Sequence, residues 1–269
     1  MTGKDLGGGK PRQLLEMLAL DLGKPIAKDL LAERLWDGRP PESYIATVES
    51  YMCLLRRKLG LAGGRRGPLA TTPKGYLLDS DVVAVDVLEV RGLLRGEVDD
   101  VARALDRLPG ELLADDPYAP WASAERETFA ELLGASCIAA AREANGRGDF
   151  ALAVRLASEA TRRSQFSEPA RRELMKGLLG AGDRVQALQV YEALRVSMRD
   201  ELGLEPEATT RELYRAILSS GDDAGGRWDQ DEIVVLLRLL RRALESDSTM
   251  VIGLPSMFEV GQLLLARAG

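Results

Sequence analysis

The sequence predicts a mainly α-helical protein, and three observations carry that prediction. Apolar residues recur at three- and four-residue steps along most of the 269 residues, the spacing that lines one face of a helix. Gly, Asp or Pro bounds the ends of these stretches. A pattern also repeats: GDFALAV at Gly148 to Val154 aligns with GDRVQAL at Gly182 to Leu188, 34 residues later, as in stacked helical hairpins.

Taken in order, two short helical patterns run from Arg12 to Leu22 and from Lys28 to Trp36, joined by the break Gly23-Lys24-Pro25. A third, PESYIATVESYMCLLRRKLG, spans Pro41 to Gly60. A proline pair and an acidic first turn open it, basic residues fill its last turn, and Gly60 stops it. Ile45, Val48, Met52, Leu55 and Leu59 are expected on its buried stripe. The opposite face then carries Ala46, Thr47, Ser50, Cys53, Leu54 and Arg57, flanked by Arg56 and Lys58. Between Gly67 and Ser80 the run Thr72-Pro73-Lys74-Gly75 places Pro and Gly where a type I turn wants them, predicting a hairpin. Three helices and a small β-hairpin wing make a winged helix-turn-helix, assigned to residues 1–80.

Helices are expected next at Val82 to Arg95, Val98 to Leu108, Ala122 to Asn145, Phe150 to Arg163, Glu168 to Leu179 and Arg184 to Leu202. The 34-residue echo falls among them, so residues 81–220 read as a TPR-like α-helical hairpin domain. Its Gly and Asp residues are expected to turn the chain between helices, with Ala153 and Ala187 small where helices approach. A linker at Gly221 to Arg227 leads into an appendage over residues 221–269: a helix at Asp229 to Glu245, a strand at Thr249 to Leu254 and a helix at Met257 to Ala268.

Composition excludes much chemistry. There is no histidine, which removes the usual general base and the commonest metal ligand. Cys53 and Cys137 lack metal or disulfide spacing and are expected as free thiols on helices. The doublets Asp99-Asp100, Asp115-Asp116 and Asp222-Asp223 read as solvated turn acids, and no catalytic residue, metal or cofactor is expected. No apolar run is long enough to span a membrane, and the polar, Gly-rich start is unlike a signal peptide, so a cytoplasmic protein is expected.

Net charge is −6, but it is segregated. Residues 1–80 hold 13 Lys and Arg against nine Asp and Glu, a net of +4, which leaves −10 for the remainder. Local field within a Debye length of about 8 to 10 Å decides phosphate attraction, so this head suits DNA. Lys10 and Arg12 before the first helix and Lys28 opening the second are candidate phosphate contacts. Arg56, Arg57 and Lys58 ring the third helix, and Thr47, Ser50 and Arg57 are candidates for base edges. Lys74 at the hairpin tip, with Arg65 and Arg66 before it, is placed to enter or flank a minor groove.

Four blocks resemble, in order, the OmpR-type winged helix: LGGGKPRQLLEMLAL at Leu6 to Leu20, LLAERLWDGRPPES at Leu30 to Ser43, TVESYMCLLRRKL at Thr47 to Leu59 and LATTPKGYLLD at Leu69 to Asp79. The version most resembled is that of the Streptomyces antibiotic regulatory protein family. LPGELLADDPYAPW at Leu108 to Trp121, ALQVYEALRVSMRDELGLEP at Ala187 to Pro206 and TRELYRAIL at Thr210 to Leu218 resemble that family's bacterial transcriptional activation domain. Two departures stand out. Where the family shows Ser-Arg-Leu-Arg-Arg, this chain has Cys53-Leu54-Leu55-Arg56-Arg57, so Leu54 either meets a thymine methyl or marks lost DNA affinity. The family's small N-terminal sheet is expected to be missing, since nine residues precede Lys10. The place where larger members start an ATPase domain holds Ser256 to Leu263, without the phosphate-loop Lys and hydroxyl, so no nucleotide binding is expected there.

The resemblance implies a promoter-bound activator of secondary-metabolite (antibiotic) gene clusters. It would bind direct repeats in double-stranded DNA, as a homodimer or side-by-side copies, and engage RNA polymerase and its sigma factor. The alternative is an interaction or ligand-sensing regulator whose winged helix has lost DNA affinity.

Overall fold

The computed structural model describes residues 8–61, 67–108 and 110–220, and the chain divides into two compact units between Ser136 and Cys137. The predicted Arg65 and Arg66 and the whole 221–269 appendage lie outside the described residues.

The first unit opens with α1 (Gly9–Leu20), α2 (Lys28–Leu35) and α3 (Tyr44–Lys58), then the hairpin β1 (Leu69–Thr72) and β2 (Gly75–Leu78). Leu14, Met17 and Leu18 of α1, Leu31 and Leu35 of α2, and Val48, Met52 and Leu55 of α3 are all buried, in one cluster with Leu69, Tyr76 and Leu78 of the hairpin. Each such side chain contributes about 1.5–3 kcal/mol, which is what holds helices too short to form alone.

The seam of α3 differs from expectation at its first turn. Ile45 is 46% exposed, and Tyr44 packs on the core instead, its hydroxyl donating to Asp29 Oδ1 at 3.0 Å. Tyr44, Val48, Met52, Leu55 and Leu59 keep the three- and four-residue spacing. The aromatic ring at the first of these positions covers more apolar surface and reaches α2 with its polar tip, so Ile45 turns outward.

The wing is seated on the α1–α2 connector. Ile26 and Tyr76 exchange backbone bonds of 2.8 and 2.9 Å, and the Gly23 amide donates to the Leu78 carbonyl at 2.9 Å. Gly75 makes this approach possible. Its φ is +132°, and a β-carbon there would stand 1.9 Å from the Ile26 carbonyl oxygen.

The same unit continues through α4 (Asp86–Leu93), α5 (Val98–Arg107), a short 3-10 turn Pro120–Ala122 and the start of α6 (Ser123–Arg147). The expected helix from Val82 begins only at Asp86, and Val82 is 64% exposed. Asp100 of the first acidic doublet closes a capping box with Glu97. Asp115 and Asp116 of the second meet α1.

The second unit holds the rest of α6, then α7 (Phe150–Arg163), α8 (Glu168–Gly180), α9 (Arg184–Ser197), a π turn Met198–Leu202 and α10 (Ala208–Ser219). The 34-residue echo is one backbone device used twice. Gly148 (φ +78°) and Gly182 (φ +86°) end α6 and α8 in the left-handed region. Their own amides donate to the Asn145 and Leu179 carbonyls, and those of Asp149 and Asp183 to the Ala144 and Leu178 carbonyls, both pairs forming Schellman motifs. The same two aspartates then cap the next helix, accepting from Leu152 N and Gln186 N. Ala153 and Ala187 are fully buried as expected. The predicted helix to Leu202 changes character after Ser197, and Gly203 (φ +67°) ends it. Buried Glu168 then fixes the loop to α10, accepting from Glu207 N at 3.0 Å and Thr210 Oγ1 at 2.5 Å.

Among the described residues, no helix is long and apolar enough to cross a membrane.

Candidate nucleic-acid interface

The candidate surface is the outward side of α3 and the tip of the wing. A proline pair, Pro40-Pro41, precedes α3, whose first turn carries no acid, so Glu42 falls before the helix rather than in it. Arg56, Arg57 and Lys58 occupy the last turn, where cations complement the helix dipole. Gly60 (φ +65°) closes the helix by a Schellman motif, with Leu61 N donating to Arg56 O at 2.8 Å.

Ile45, Ala46, Glu49, Ser50, Cys53, Arg57 and Lys58 are exposed on this helix, with Thr47 and Leu54 partly so. Ser50 and Arg57 lie seven residues apart, roughly 10 Å along the axis, which is the reach of a few base steps. Thr47 turns its hydroxyl back to the Ser43 carbonyl at 3.0 Å. Ile45 and Glu49 were not among the predicted contacts. Ile45 presents an apolar methyl surface near the helix start, and Glu49 is tied to Lys28.

The basic residues divide into two groups. Arg57, Lys58 and Lys74 are exposed, with no ion pair or side-chain hydrogen bond to any described residue. Lys74 stands at the hairpin tip, where Thr72 Oγ1 accepts from its backbone amide at 3.2 Å and shapes the two-residue turn.

The others are engaged inside the protein. Lys10, expected ahead of the first helix, lies within α1. Its ammonium donates to the Leu35 carbonyl at 3.2 Å and sits 4.6 Å from the centre of the Trp36 ring. It thereby satisfies a helix-end carbonyl that has no intrahelical partner. Arg12 also lies within α1 and pairs with Glu16 at 3.3 Å and Asp116 at 3.6 Å, and it donates to the Asp115 carbonyl at 3.1 Å. Lys28 pairs with Glu49, a bond that raises the ammonium pKa, and lies over the Tyr76 ring. Arg56 donates from Nε to the Leu69 carbonyl at 2.9 Å and from Nη2 to Thr71 Oγ1 at 2.7 Å. It therefore joins α3 to β1 and sets where the wing stands relative to the helix.

Among the described residues, no three of Cys, Asp and Glu stand where they could hold a metal ion. Both cysteines are free, Cys53 exposed on α3 and Cys137 buried, its thiol pushed up to about 12 by burial.

Comparison with known proteins gives a consistent answer for both parts of the chain. The bacterial transcriptional activator domain model matches residues 80–218, and the model for the C-terminal part of transcriptional regulatory proteins matches residues 7–78. The regulatory protein DnrI of Streptomyces peucetius is 32% identical, over 81% of this chain and 87% of that protein. The transcriptional regulatory protein MoaR1 of Mycobacterium tuberculosis is 31% identical, over 82% of this chain and 76% of that one. A solved structure of Mycobacterium tuberculosis EmbR in complex with a low affinity phosphopeptide aligns with a TM-score of 0.65, covering 92% of this chain and 68% of that chain. At 23% identity that likeness speaks to the fold alone.

Proposed function

Because the chain belongs to the Streptomyces antibiotic regulatory protein family of transcriptional activators, we propose that it binds promoter DNA sequence-specifically and there recruits RNA polymerase. Residues 1–80 are the DNA-binding domain and residues 81–220 the activation domain. α3 lies in the major groove, with Ser50, Thr47 and Arg57 at base edges and Lys58 at the backbone, and Lys74 of the wing reaches the adjacent minor groove. The observation that carries this reading is the open, uncompensated set Arg57, Lys58 and Lys74 beside small and hydroxyl side chains.

Lys10 and Arg12 take positioning roles within the head in this reading, and Arg56 aligns the wing with the recognition helix. Direct repeats, occupied by neighbouring copies, are the expected operator form. RNA polymerase with its sigma factor is the expected partner of the helical region, and secondary-metabolite clusters are the expected targets.

Fluorescence anisotropy of the full chain on promoter DNA from its own gene neighbourhood, across a salt series, tests the proposal. Sequence-selective binding with a steep negative dependence on salt is the expected result. Absence of binding even at low salt would favour a regulator that works through protein contacts, with Leu54 in the place of the family's arginine as its mark.

A further inference from the structure

α3 carries one acid, Glu49, and it lies on the exposed side of the helix. Every other charged residue of α3 is a cation, Arg56, Arg57 and Lys58 of its last turn. A carboxylate on a surface that approaches phosphates is repelled by them, and it weakens binding unless a donor on the nucleic acid compensates.

Glu49 is open to such a donor. Its side chain is 50% exposed, and the Lys28 ammonium engages Oε1 alone. Oε2 accepts a hydrogen bond from no described residue. Ile45 and Cys53, one turn to either side on the same ridge of the helix, are exposed and uncharged, so a base edge can approach between them. The first turns of α2 and α3 are joined twice, by the Tyr44 hydroxyl on Asp29 Oδ1 at 3.0 Å and by Lys28 on Glu49. An ion pair as exposed as Lys28–Glu49 adds little to stability, so the fold itself has small need of it. What the pair does provide is a fixed direction for the carboxylate and a charge to balance it.

The major groove limits what Oε2 can meet there. Its base-edge donors are the N4 amino group of cytosine and the N6 amino group of adenine. On adenine the acceptor N7 lies beside that amino group and opposes a carboxylate, whereas cytosine presents N4 with no acceptor of its own beside it.

We propose that Glu49 is a specificity-determining residue that accepts from N4 of a cytosine through Oε2, while Lys28 neutralises its charge against the phosphates. This rests on the reading that α3 enters the major groove. It gives the operator a required C·G pair, and it makes Lys28 a positioning residue for Glu49 in place of a phosphate contact.

The test is selection of duplexes by the full chain from a randomised double-stranded DNA library, followed by anisotropy on the selected sequence and its single-pair variants. The unmodified protein is expected to prefer C at one pair by about five-fold or more over the other bases. Glu49→Gln is expected to lose that preference at that pair alone and to favour A there, whose N6 and N7 an amide meets together. Lys28→Met is expected to weaken binding to every duplex by a similar factor, and Lys28→Met combined with Glu49→Gln to recover most of the loss. Identical base preferences of the unmodified chain and Glu49→Gln overturn the proposal and leave DNA binding standing. So does indifference of the unmodified protein to C at every selected pair, an outcome that needs no variant to fold. Selection of no duplex by the unmodified protein overturns the reading of α3 itself, and the proposal with it.

Discussion

Arg56 and Arg57 are neighbours in α3, yet they belong to different surfaces of the molecule. Arg56 is bound to the wing through the Leu69 carbonyl and Thr71, whereas Arg57 stands open in solvent. The same contrast runs through the whole head. Lys10, Arg12 and Lys28 are held by a carbonyl, by carboxylates or by both. Lys58 and Lys74 are not. Charge that is already compensated shapes the protein, and only uncompensated charge is available to displace counterions from DNA.

This contrast is most exposed to refutation at Arg56. Arg56→Ala should lower the stability of the chain by about 1–3 kcal/mol, by leaving the β1 carbonyl and Thr71 without their donor, and should also weaken DNA binding by misplacing the wing. Chemical denaturation and anisotropy on the same protein check it, and unchanged stability would return Arg56 to the DNA-contacting group. Arg57→Ala should do the reverse, costing about 1–3 kcal/mol of specific binding while leaving stability within about 0.5 kcal/mol. A comparable loss with every DNA sequence would make Arg57 a phosphate contact instead of a base reader.

Engaged charge should also reveal itself through pH. Glu173 is buried and held by Lys176, Asn145 and Arg142, bonds that outweigh burial and take its pKa below the ordinary 4.5. A depressed carboxylate adds stability that is fully present above its unfolded pKa and is lost as pH falls through the folded value. Glu173→Gln should therefore flatten the loss of stability below about pH 4.5, measured as melting temperature against pH. Lys74→Ala should have a smaller effect, reducing the salt slope of DNA binding by about 0.9 without altering stability. Smallest of all, Lys10→Met should leave that slope unchanged and lower stability by about 1 kcal/mol, through loss of the Leu35 bond and the Trp36 contact.

What was legible in the sequence follows the same division. The Gly148-Asp149 and Gly182-Asp183 turns were readable because every bond they make lies within a few residues, so local spacing carries the whole signal. The three helices and the hairpin of the head were readable because helical periodicity and turn residues are likewise local signals, whereas the core that joins them brings together residues as far apart as Leu14 and Leu78. The fate of Arg12 was not, since its partners Asp115 and Asp116 are about a hundred residues away. Nor was the choice between Tyr44 and Ile45 for the buried seam. Both fit the helical period, and the decision rests on Asp29 in another helix. At the candidate interface, sequence could therefore collect the cations but could not separate those facing outward from those holding the head together.

The two cysteines give the molecule a chemical asymmetry at the most informative place. Cys53 lies exposed on the outer side of α3, between Ser50 and Arg57, while Cys137 is sealed and its thiol is pushed up to about 12. A mild alkylating reagent at neutral pH will thus mark one position on the native chain. Its rate of reaction, slowed wherever the helix is covered, turns the unmodified protein into its own footprinting reagent for the outward side of α3.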